Sequence, residues 1–212
     1  MSSKFESLTG VVDLPFPEYD APPAEPMRLV EDWVSSAVDA GVREPLALAL
    51  ATADRQGRPS TRIVSVIEVT DRGWLFTTHS TSRKSREIAA TGWASGLLYW
   101  RETAQQLSVA GPTGRLDAAE NDRLWAARAP ALHPMSTASR QSEPLDDPRR
   151  LQAEADRLAA ATGSALPRPQ RFVGYRLEPH VVEFWSAAET RLHRRLRYEK
   201  TPTGWHVAKL QP

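Results

Sequence analysis

The sequence contains no cysteine. This absence excludes disulfide bonds, catalysis by a thiol, cysteine-ligated zinc and iron–sulfur clusters. The five histidines show no metal-ligand spacing, so no metal site is predicted. The chain also lacks the glycine-rich fingerprints of dinucleotide-binding and P-loop proteins and the Gly-x-Ser-x-Gly elbow of serine hydrolases. Several common enzyme classes are thereby excluded for this chain.

Neither sign of charge predominates, because the chain has 27 Lys and Arg residues and 26 Asp and Glu residues, which give a formal net charge of +1. Such a balance gives no general attraction to nucleic acid or to acidic membrane surfaces, so any binding of phosphate or carboxylate must be local. No apolar run has the length of a signal peptide or of a membrane span. We therefore expect a cytoplasmic protein that binds neither nucleic acid nor membrane.

Five prolines fall within the first 26 residues, which show little periodicity. This pattern predicts an extended amino-terminal arm over residues 1–26, either disordered or docked through Phe16 and Tyr19. Helical spacing begins at Leu29 and ends before Gly41, a predicted C-terminal cap. At 212 residues the chain fits one ordinary domain, so we expect a single domain over residues 27–212.

Strand patterns dominate the remainder of the chain. Apolar or β-branched runs predict antiparallel strands, Ser82 is placed to cap a helix through about Ala90, and Asp117 opens another helix through about Ala127. Many strands without strand–helix alternation indicate a mainly β fold, a closed or nearly closed antiparallel barrel with peripheral helices. The predicted strands are 46–50, 60–69, 74–78, 95–100, 105–114, 172–177, 181–185, 191–198 and 205–210, with a loop over 128–148 and a fourth helix over 149–162.

Basic and hydroxyl residues gather at two predicted element starts. Arg62 lies at a strand start, and Ser82, Arg83 and Lys84 lie at a helix start. Arginine suits a phosphomonoester because its planar fork makes paired hydrogen bonds, and a helix N-terminus adds positive potential. These residues predict a phosphate cradle. The alternative is that Arg83, Lys84 and Arg86 form a solvated helix face.

A second basic segment runs from Arg191 to Arg197. At strand spacing Arg191, His193, Arg195 and Arg197 share one face, where four cations would repel each other unless they bound an anion. The pattern therefore predicts binding of a phosphate, a carboxylate or a reduced flavin. An exposed basic strand paired with acidic neighbours is the alternative, and a nucleic-acid patch would need interleaved aromatic residues.

Taken in register, these motifs resemble the pyridoxamine 5′-phosphate oxidase family. The resemblance also includes Thr77-Thr78, Gln106, Gln141-Ser142 and Glu183-Phe184-Trp185. It implies a dimeric, FMN-binding split β-barrel with its sites at the dimer interface. The FMN contacts that it implies are Arg62, Ile63, Val64, Ser65, Val66, Ile67, Thr77, Thr78, Ser82, Arg83, Lys84, Gln106, Gln141, Ser142, Trp185 and Arg195.

The chain departs from the vitamin B6 enzymes of this family at the substrate phosphate. The family's Lys, Tyr, Arg and Ser ligands align with Ile67, Leu124, Arg128 and Leu132, so three of the four polar ligands are aliphatic here. A phosphate beside apolar residues loses hydrogen bonds and is costly to desolvate. The pocket expected instead is broader and more apolar, with Arg128 still able to fix an anion.

A narrower resemblance, to the flavin oxidases of phenazine biosynthesis, is carried by Ser7–Gly10, Pro15–Tyr19, Leu98–Thr103 and His133–Ser136. It implies aromatisation of a dihydro- or tetrahydrophenazine carboxylic acid, by hydride transfer to flavin N5 with O2 as electron acceptor. Arg191 and His193 are the predicted catalytic residues, orienting substrate carboxylates together with Arg128. The alternatives are a pyridoxine/pyridoxamine 5′-phosphate oxidase and a flavin-binding or tetrapyrrole-binding module without turnover.

Overall fold

The computed structural model describes residues 14–161 and 165–212, and the motif at Ser7–Gly10 lies outside them. The described residues form ten β-strands and five α-helices. The strands are β1 (Ala47–Ala53), β2 (Pro59–Ser65), β3 (Glu68–Thr70), β4 (Gly73–His79), β5 (Trp93–Trp100), β6 (Gln105–Arg115), β7 (Phe172–Leu177), β8 (Val181–Ser186), β9 (Arg194–Thr201) and β10 (Gly204–Leu210). The helices are α1 (Met27–Asp39), α2 (Arg83–Thr91), α3 (Ala118–Ala127), α4 (His133–Ala138) and α5 (Pro148–Ala161).

Every strand pair is antiparallel, and the sheet closes on itself. Strands pair in the order β2-β1-β5-β6-β7-β4-β3, and β8, β9 and β10 extend the sheet from β6. The barrel closes between β2 and β3, because Val66 N donates to Leu46 O at 3.0 Å and Ile67 N donates to Leu75 O at 2.7 Å. The predicted split β-barrel with peripheral helices is thus confirmed.

Alternating side chains define the inside of the barrel. Leu48 and Leu50 of β1 are fully buried, whereas the alternate residues of β1, Ala49 among them, are half-buried on the other face. Gly96 of β5 leaves room for Leu48, since a Cβ atom at Gly96 would lie 2.6 Å from a Leu48 methyl carbon. A second core beneath α3 contains Leu75, Leu116, Leu124, Trp125, Leu166 and Phe172.

The first described residues pack against α1. Phe16 is 4% exposed, and its ring lies 4.9 Å from that of Trp33 in α1. Tyr198 of β9 donates its hydroxyl to Pro23 O at 3.1 Å. Gly41, at φ 72°, follows the helix end as its sequence position predicted. No helix in the described part of the chain is long and apolar enough to cross a membrane.

Three predicted elements need correction. The strand expected over 191–198 begins only at Arg194, because Arg191 has a left-handed φ of 64° and its N–H closes a turn on Ala188 O. The strand expected over 60–69 is divided at Val66, where the chain changes partner from β1 to β4. The loop expected over 128–148 contains α4 and a 3-10 turn at Pro130–Leu132.

Candidate functional site

The start of α2 meets the end of β4 in a cluster of hydroxyl groups. Ser82 caps α2 by accepting a hydrogen bond from Ser85 N at 3.4 Å, as its position predicted. Its Oγ lies 3.2 Å from Oγ1 of Thr78, which accepts from Lys84 Nζ at 3.0 Å. Thr77, next to Thr78 in β4, is half-buried opposite Gly174. The predicted cradle residues of β4 and α2 are therefore brought together.

Gln141 and Ser142, some 60 residues downstream, join this cluster. Gln141 Oε1 accepts from Thr78 Oγ1 at 2.7 Å, and Ser142 Oγ accepts from the Arg83 backbone N–H at 3.1 Å. Gln141 N donates to Nδ1 of His79 at 3.3 Å, which fixes the loop against β4. The structure thus places Gln141 and Ser142, both predicted FMN contacts, beside the predicted cradle residues at the N-terminus of α2.

Arg62 belongs to the same cluster but lies in the middle of β2, not at a strand start as predicted. Its Nη1 donates to Thr52 Oγ1 at 2.6 Å and to Leu50 O at 3.3 Å, and its Nη2 donates to Ser60 and to Glu87. Burial lowers the pKa of Arg62, although Glu87 opposes the shift. The guanidinium is therefore held on its inner side by several acceptors.

Lys84 brings a second desolvated cation to the cluster. Burial lowers the pKa of its amino group, and the charge of Arg62 lowers it further. Together with exposed Arg83, these residues form a compact positive region that includes hydroxyl groups and the N-terminus of α2. This set of donors is the kind that binds a phosphomonoester.

A second cluster forms on the outer face of the sheet. Gln106 of β6, Trp185 of β8 and Arg195 of β9 lie side by side in register. Arg195 pairs with Glu183 at 2.7 Å, and the ring of His193 lies 4.8 Å from that of Trp185. The four-cation face predicted over Arg191–Arg197 is wrong in part, because Arg191 and His193 lie in the turn before β9.

His193 is fixed within that turn. Its Nδ1 accepts from the Ala188 backbone N–H at 3.2 Å, which orients the ring. Burial lowers the pKa of His193, and the neighbouring charge of Arg191 lowers it further. A neutral, oriented imidazole can donate a hydrogen bond from Nε2 to an anion, so the geometry is compatible with the predicted role of His193.

One chain does not bring the two clusters together. β2 and β9 are separated by five strand-to-strand steps, about 24 Å along the sheet. Arg62 also lies on the face that pairs with buried Leu50, whereas Gln106 alternates with buried Gln105 and points to the other face. Arg62 and Arg195 therefore lie far apart within one chain and on opposite faces of the sheet.

The backbone segment Ile63–Ile67 lies at the barrel closure. Ile63 is 64% exposed and Ile67 is 42% exposed, Ser65 is exposed, and Val64 is half-buried. Val66 is 3% exposed and points into the core, so its side chain does not face an external ligand. Contact of this segment with a flavin stays a prediction.

The predicted substrate residues differ in exposure. Ile67 and Leu132 are exposed, but Leu124 is 3% exposed within the core beneath α3. Half-buried Arg128 lies over the Phe172 ring at 5.9 Å, and burial lowers its pKa. Its Nε is buried without a hydrogen-bond partner in the described chain. Arg128 is therefore the polar member of this otherwise apolar group, and its contact with substrate stays a prediction.

Sequence reasoning missed the residues that support the cradle. Glu87 is 5% exposed and accepts hydrogen bonds from both Arg62 and Arg83. Although burial alone would raise its pKa, hydrogen bonds from Ser60, Thr52 and Arg83 lower it to about 2. The Arg83–Glu87 spacing of four residues on a helix was the available signal. His79, which holds Gln141, had no comparable signal.

Two family models match the chain. The model described as pyridoxamine 5′-phosphate oxidase matches residues 34–186. The chain belongs to the pyridoxamine 5′-phosphate oxidase family. A model described as the pyridoxine 5′-phosphate oxidase C-terminal dimerisation region matches residues 172–212, which include Trp185 and Arg195. The resemblance drawn from the motifs is confirmed, and this family member is an oxidoreductase with a flavin-type cofactor site and a dimerisation region.

Relatives within the pyridoxamine 5′-phosphate oxidase family differ in similarity. A dihydrophenazinedicarboxylate synthase of Burkholderia lata is 57% identical over 211 residues, covering 100% of this chain and 99% of the relative. A pyridoxine/pyridoxamine 5′-phosphate oxidase of Paraburkholderia phytofirmans is 38% identical over 189 residues, covering 88% and 89%. The crystal structure of PhzG from Burkholderia lata 383 in complex with tetrahydrophenazine-1-carboxylic acid has a TM-score of 0.93 at 56% identity, and covers 96% of this chain and 100% of that chain.

Proposed function

We propose that this protein is an FMN-dependent oxidase of phenazine biosynthesis that aromatises dihydro- or tetrahydrophenazine carboxylic acids. The observation that carries the proposal is the 57% identity, over the full chain, to a dihydrophenazinedicarboxylate synthase. The exposed aliphatic side chains of Ile67 and Leu132 support it, because they replace polar ligands of the B6 phosphate with apolar surface suited to a flat ring system. The cytoplasmic location stays a prediction.

The cradle of Arg62, Ser82, Arg83, Lys84 and Gln141-Ser142 binds the FMN phosphate. Charged donors give the strongest hydrogen bonds to a phosphate, and the start of α2 adds backbone N–H groups and positive potential. The buried hydroxyl of Ser82 caps the helix and so supports the cradle from beneath. The donor set thus fits a phosphorylated flavin better than an unphosphorylated one.

The second subunit of a homodimer completes each site. The separation of Arg62 from Arg195 by five strand-to-strand steps, on opposite faces of the sheet, supports this arrangement. Ile63, Trp93 and Tyr99, all on the outer face of the sheet, are 64%, 45% and 43% exposed. Large exposed apolar side chains on one face are typical of an interface. Gln106, Trp185 and Arg195 of one subunit therefore serve the cradle of the other.

Substrate carboxylates are oriented by Arg191, His193 and Arg128. The turn that Arg191 N–H closes on Ala188 O precedes His193, whose ring lies beside Trp185, and Arg128 Nε has no hydrogen-bond partner in the described chain. The aliphatic side chains exclude water from the space between the flavin ring and the substrate ring. Arg195 stabilises negative charge on the reduced cofactor. Bound FMN supplies the redox chemistry, accepting a hydride and passing electrons to O2.

Anaerobic mixing tests the proposal. FMN-loaded protein is mixed with a reduced phenazine carboxylate and, separately, with pyridoxine 5′-phosphate, and the flavin absorbance is followed. We expect bleaching by the phenazine precursor alone, and Arg191→Ala should slow bleaching while leaving FMN bound. Loss of FMN from that variant would contradict the assigned role of Arg191.

Two other functions are outcomes of the same experiment. Bleaching only by pyridoxine 5′-phosphate would establish a B6 oxidase, the activity named for the relative at 38% identity. Absence of bleaching by either compound would favour a flavin-binding module without turnover. The aliphatic residues at positions 67, 124 and 132 argue against the first, since none can donate a hydrogen bond to a phosphate.

A further inference from the structure

A buried carboxylate lies directly behind the phosphate cradle. Glu87 is on α2, one turn after Arg83, and is 5% exposed. Its Oε2 accepts from Thr52 Oγ1 and Ser60 Oγ, each at 2.5 Å, and from Arg62 Nη2 at 3.4 Å. Its Oε1 accepts from Arg83 Nε at 2.7 Å. One carboxylate therefore connects β1, β2 and α2 through four donors.

Glu87 leaves defined donors of both arginines available. Arg83 uses Nε for Glu87, which leaves the four N–H groups on its two Nη atoms for a ligand, and its side chain is 55% exposed. Arg62 uses Nη1 and Nη2 for its inner acceptors, which leaves the Nε–H. The carboxylate thus determines which edge of each guanidinium can reach a ligand.

Glu87 also sets the charge of the cradle. Arg62, Arg83 and Lys84 carry three positive charges and Glu87 one negative charge, which gives a net charge of +2. A phosphomonoester carries about −1.5 to −2 at pH 7. The cradle with Glu87 therefore matches the charge of a phosphate dianion, whereas without Glu87 the cradle would have an excess positive charge around half-buried Arg62 and Lys84.

We propose that Glu87 is a positioning residue of the flavin phosphate site, which holds Arg62 and Arg83 in the orientation that binds the phosphate. This inference rests on the proposed binding of FMN. Glu87 does not contact the ligand and acts through the two arginines. Its loss would increase the Coulomb attraction for an anion, but it would release the Arg83 guanidinium from its contact. It would also leave Thr52 and Ser60, which hold Arg62, without their acceptor. We expect the loss of geometry to outweigh the gain in charge.

Comparing FMN with riboflavin isolates the phosphate from the rest of the cofactor. Dissociation constants of both flavins are measured by fluorescence on flavin-free, full-length wild-type protein and on Glu87→Gln. This substitution retains the size of the side chain and removes its charge. We expect wild-type protein to bind FMN far more tightly than riboflavin, and Glu87→Gln to lose roughly tenfold in FMN affinity, about one charged hydrogen bond, with riboflavin affinity unchanged.

A matched control is Glu120→Gln. Glu120 of α3 pairs with half-buried Arg176 at 2.6 Å and so resembles Glu87 in type of contact, but it lies outside the cradle. We expect this variant to retain the wild-type ratio of FMN affinity to riboflavin affinity. A change in that ratio for Glu120→Gln would mean that loss of any ion pair has the same effect, and would overturn the assignment.

Other outcomes also decide the question. Equal weakening of both flavins in Glu87→Gln would show a merely structural role, and tighter FMN binding would show that charge prevails over geometry; either result overturns the inference. If wild-type protein does not prefer FMN, the proposed cofactor itself fails. If Glu87→Gln does not fold, Ser60→Ala replaces it: a fall of roughly threefold in the affinity ratio supports the inference, and an unchanged ratio overturns it.

Discussion

At the scale of single residues, His79 links acidity to cofactor binding. It is 2% exposed, and its Nδ1 accepts the N–H of Gln141. Burial lowers its pKa, as do the charges of Arg171, Lys84 and Arg128, whereas a backbone hydrogen bond at Ser136 opposes the shift. The stability provided by neutral His79 is therefore complete above its ordinary pKa of about 6.5 and is lost as pH falls through the lowered value.

We predict that FMN affinity decreases by roughly three- to tenfold as pH falls through the lowered pKa of His79, because protonated His79 cannot accept the Gln141 hydrogen bond. The measurement is a titration of FMN binding at successive pH values. His79→Asn, whose side chain does not titrate, should show a flatter profile. Exposed His206 offers the control, since His206→Asn should keep the wild-type profile. An unchanged profile in His79→Asn would assign the pH dependence to another group.

The exposure of the predicted substrate-binding residues decides which of them can be replaced by the corresponding residue of a B6 enzyme. Ile67 and Leu132 are 42% and 50% exposed, so Ile67→Lys with Leu132→Ser should alter the free energy of unfolding by only about 0.5 kcal/mol per site. We predict that this double variant gains measurable flavin reduction by pyridoxine 5′-phosphate. The check is anaerobic bleaching together with thermal unfolding. A folded double variant without this gain would show that the two positions do not select the substrate.

At the scale of elements, α2 and α3 provide a matched pair of helix caps. Ser82 and Asp117 each accept a hydrogen bond from the backbone N–H three residues later. We predict that Ser82→Ala and Asp117→Ala each reduce the free energy of unfolding by about 1 kcal/mol. Ser82→Ala alone should also weaken FMN binding, because α2 carries the cradle. Equal FMN affinity in the two variants would show that the cap of α2 does not support cofactor binding.

Local sequence patterns predicted those helices and strands that are specified by their own residues. The apolar run of β1 and the caps at Ser82 and Asp117 could be read directly from the sequence and were confirmed. α4 could not, because Arg171, some 30 residues away, binds the carbonyl groups of Thr137 and Ser139 and so stabilises its end. Its formation depends on tertiary contacts that no local pattern reports.

The same limit applies to the candidate site. The positions of Arg62, Thr78 and Lys84 followed from the family motif, and the structure brings them together. The hydrogen-bond donors to Glu87 could not be predicted in this way, because Thr52 and Ser60 lie on different strands and reach α2 only through the pairing of those strands. The turn at Arg191 was missed because its alternating basic residues imitate a strand, whereas its backbone has a positive φ.

At the scale of the whole molecule, the separation of the two clusters predicts complementation between subunits. Lys84→Ala removes a cradle residue and Arg195→Ala removes a residue of the other cluster, so each variant alone should be inactive. In a hybrid dimer, one of the two sites would receive both unaltered clusters. We predict that co-expression restores about a quarter of wild-type activity if subunits assort at random.

The measurement is oxidase activity after co-expression, compared with that of the two variants purified separately. Restored activity would support sites shared between subunits. Activity no higher than that of the separate variants would place each site within one chain. Size-exclusion chromatography of each variant provides the control, because a variant that no longer assembles could not complement the other.

The contacts between the two ends of the chain constrain when folding can finish. Arg194 of β9 donates to Leu14 O at 2.9 Å, Tyr198 donates to Pro23 O at 3.1 Å, and Lys209 pairs with Asp20 at 3.1 Å. Each contact joins residues more than 170 positions apart, so the first described segment can pack on α1 early but cannot make these three contacts until β9 and β10 have been synthesised. During translation this segment must wait for the ribosome to release the last strands, which makes its docking on β9 and β10 a late step of biosynthesis. Proteolysis of ribosome-bound chains should therefore cut this segment until β9 has emerged from the exit tunnel.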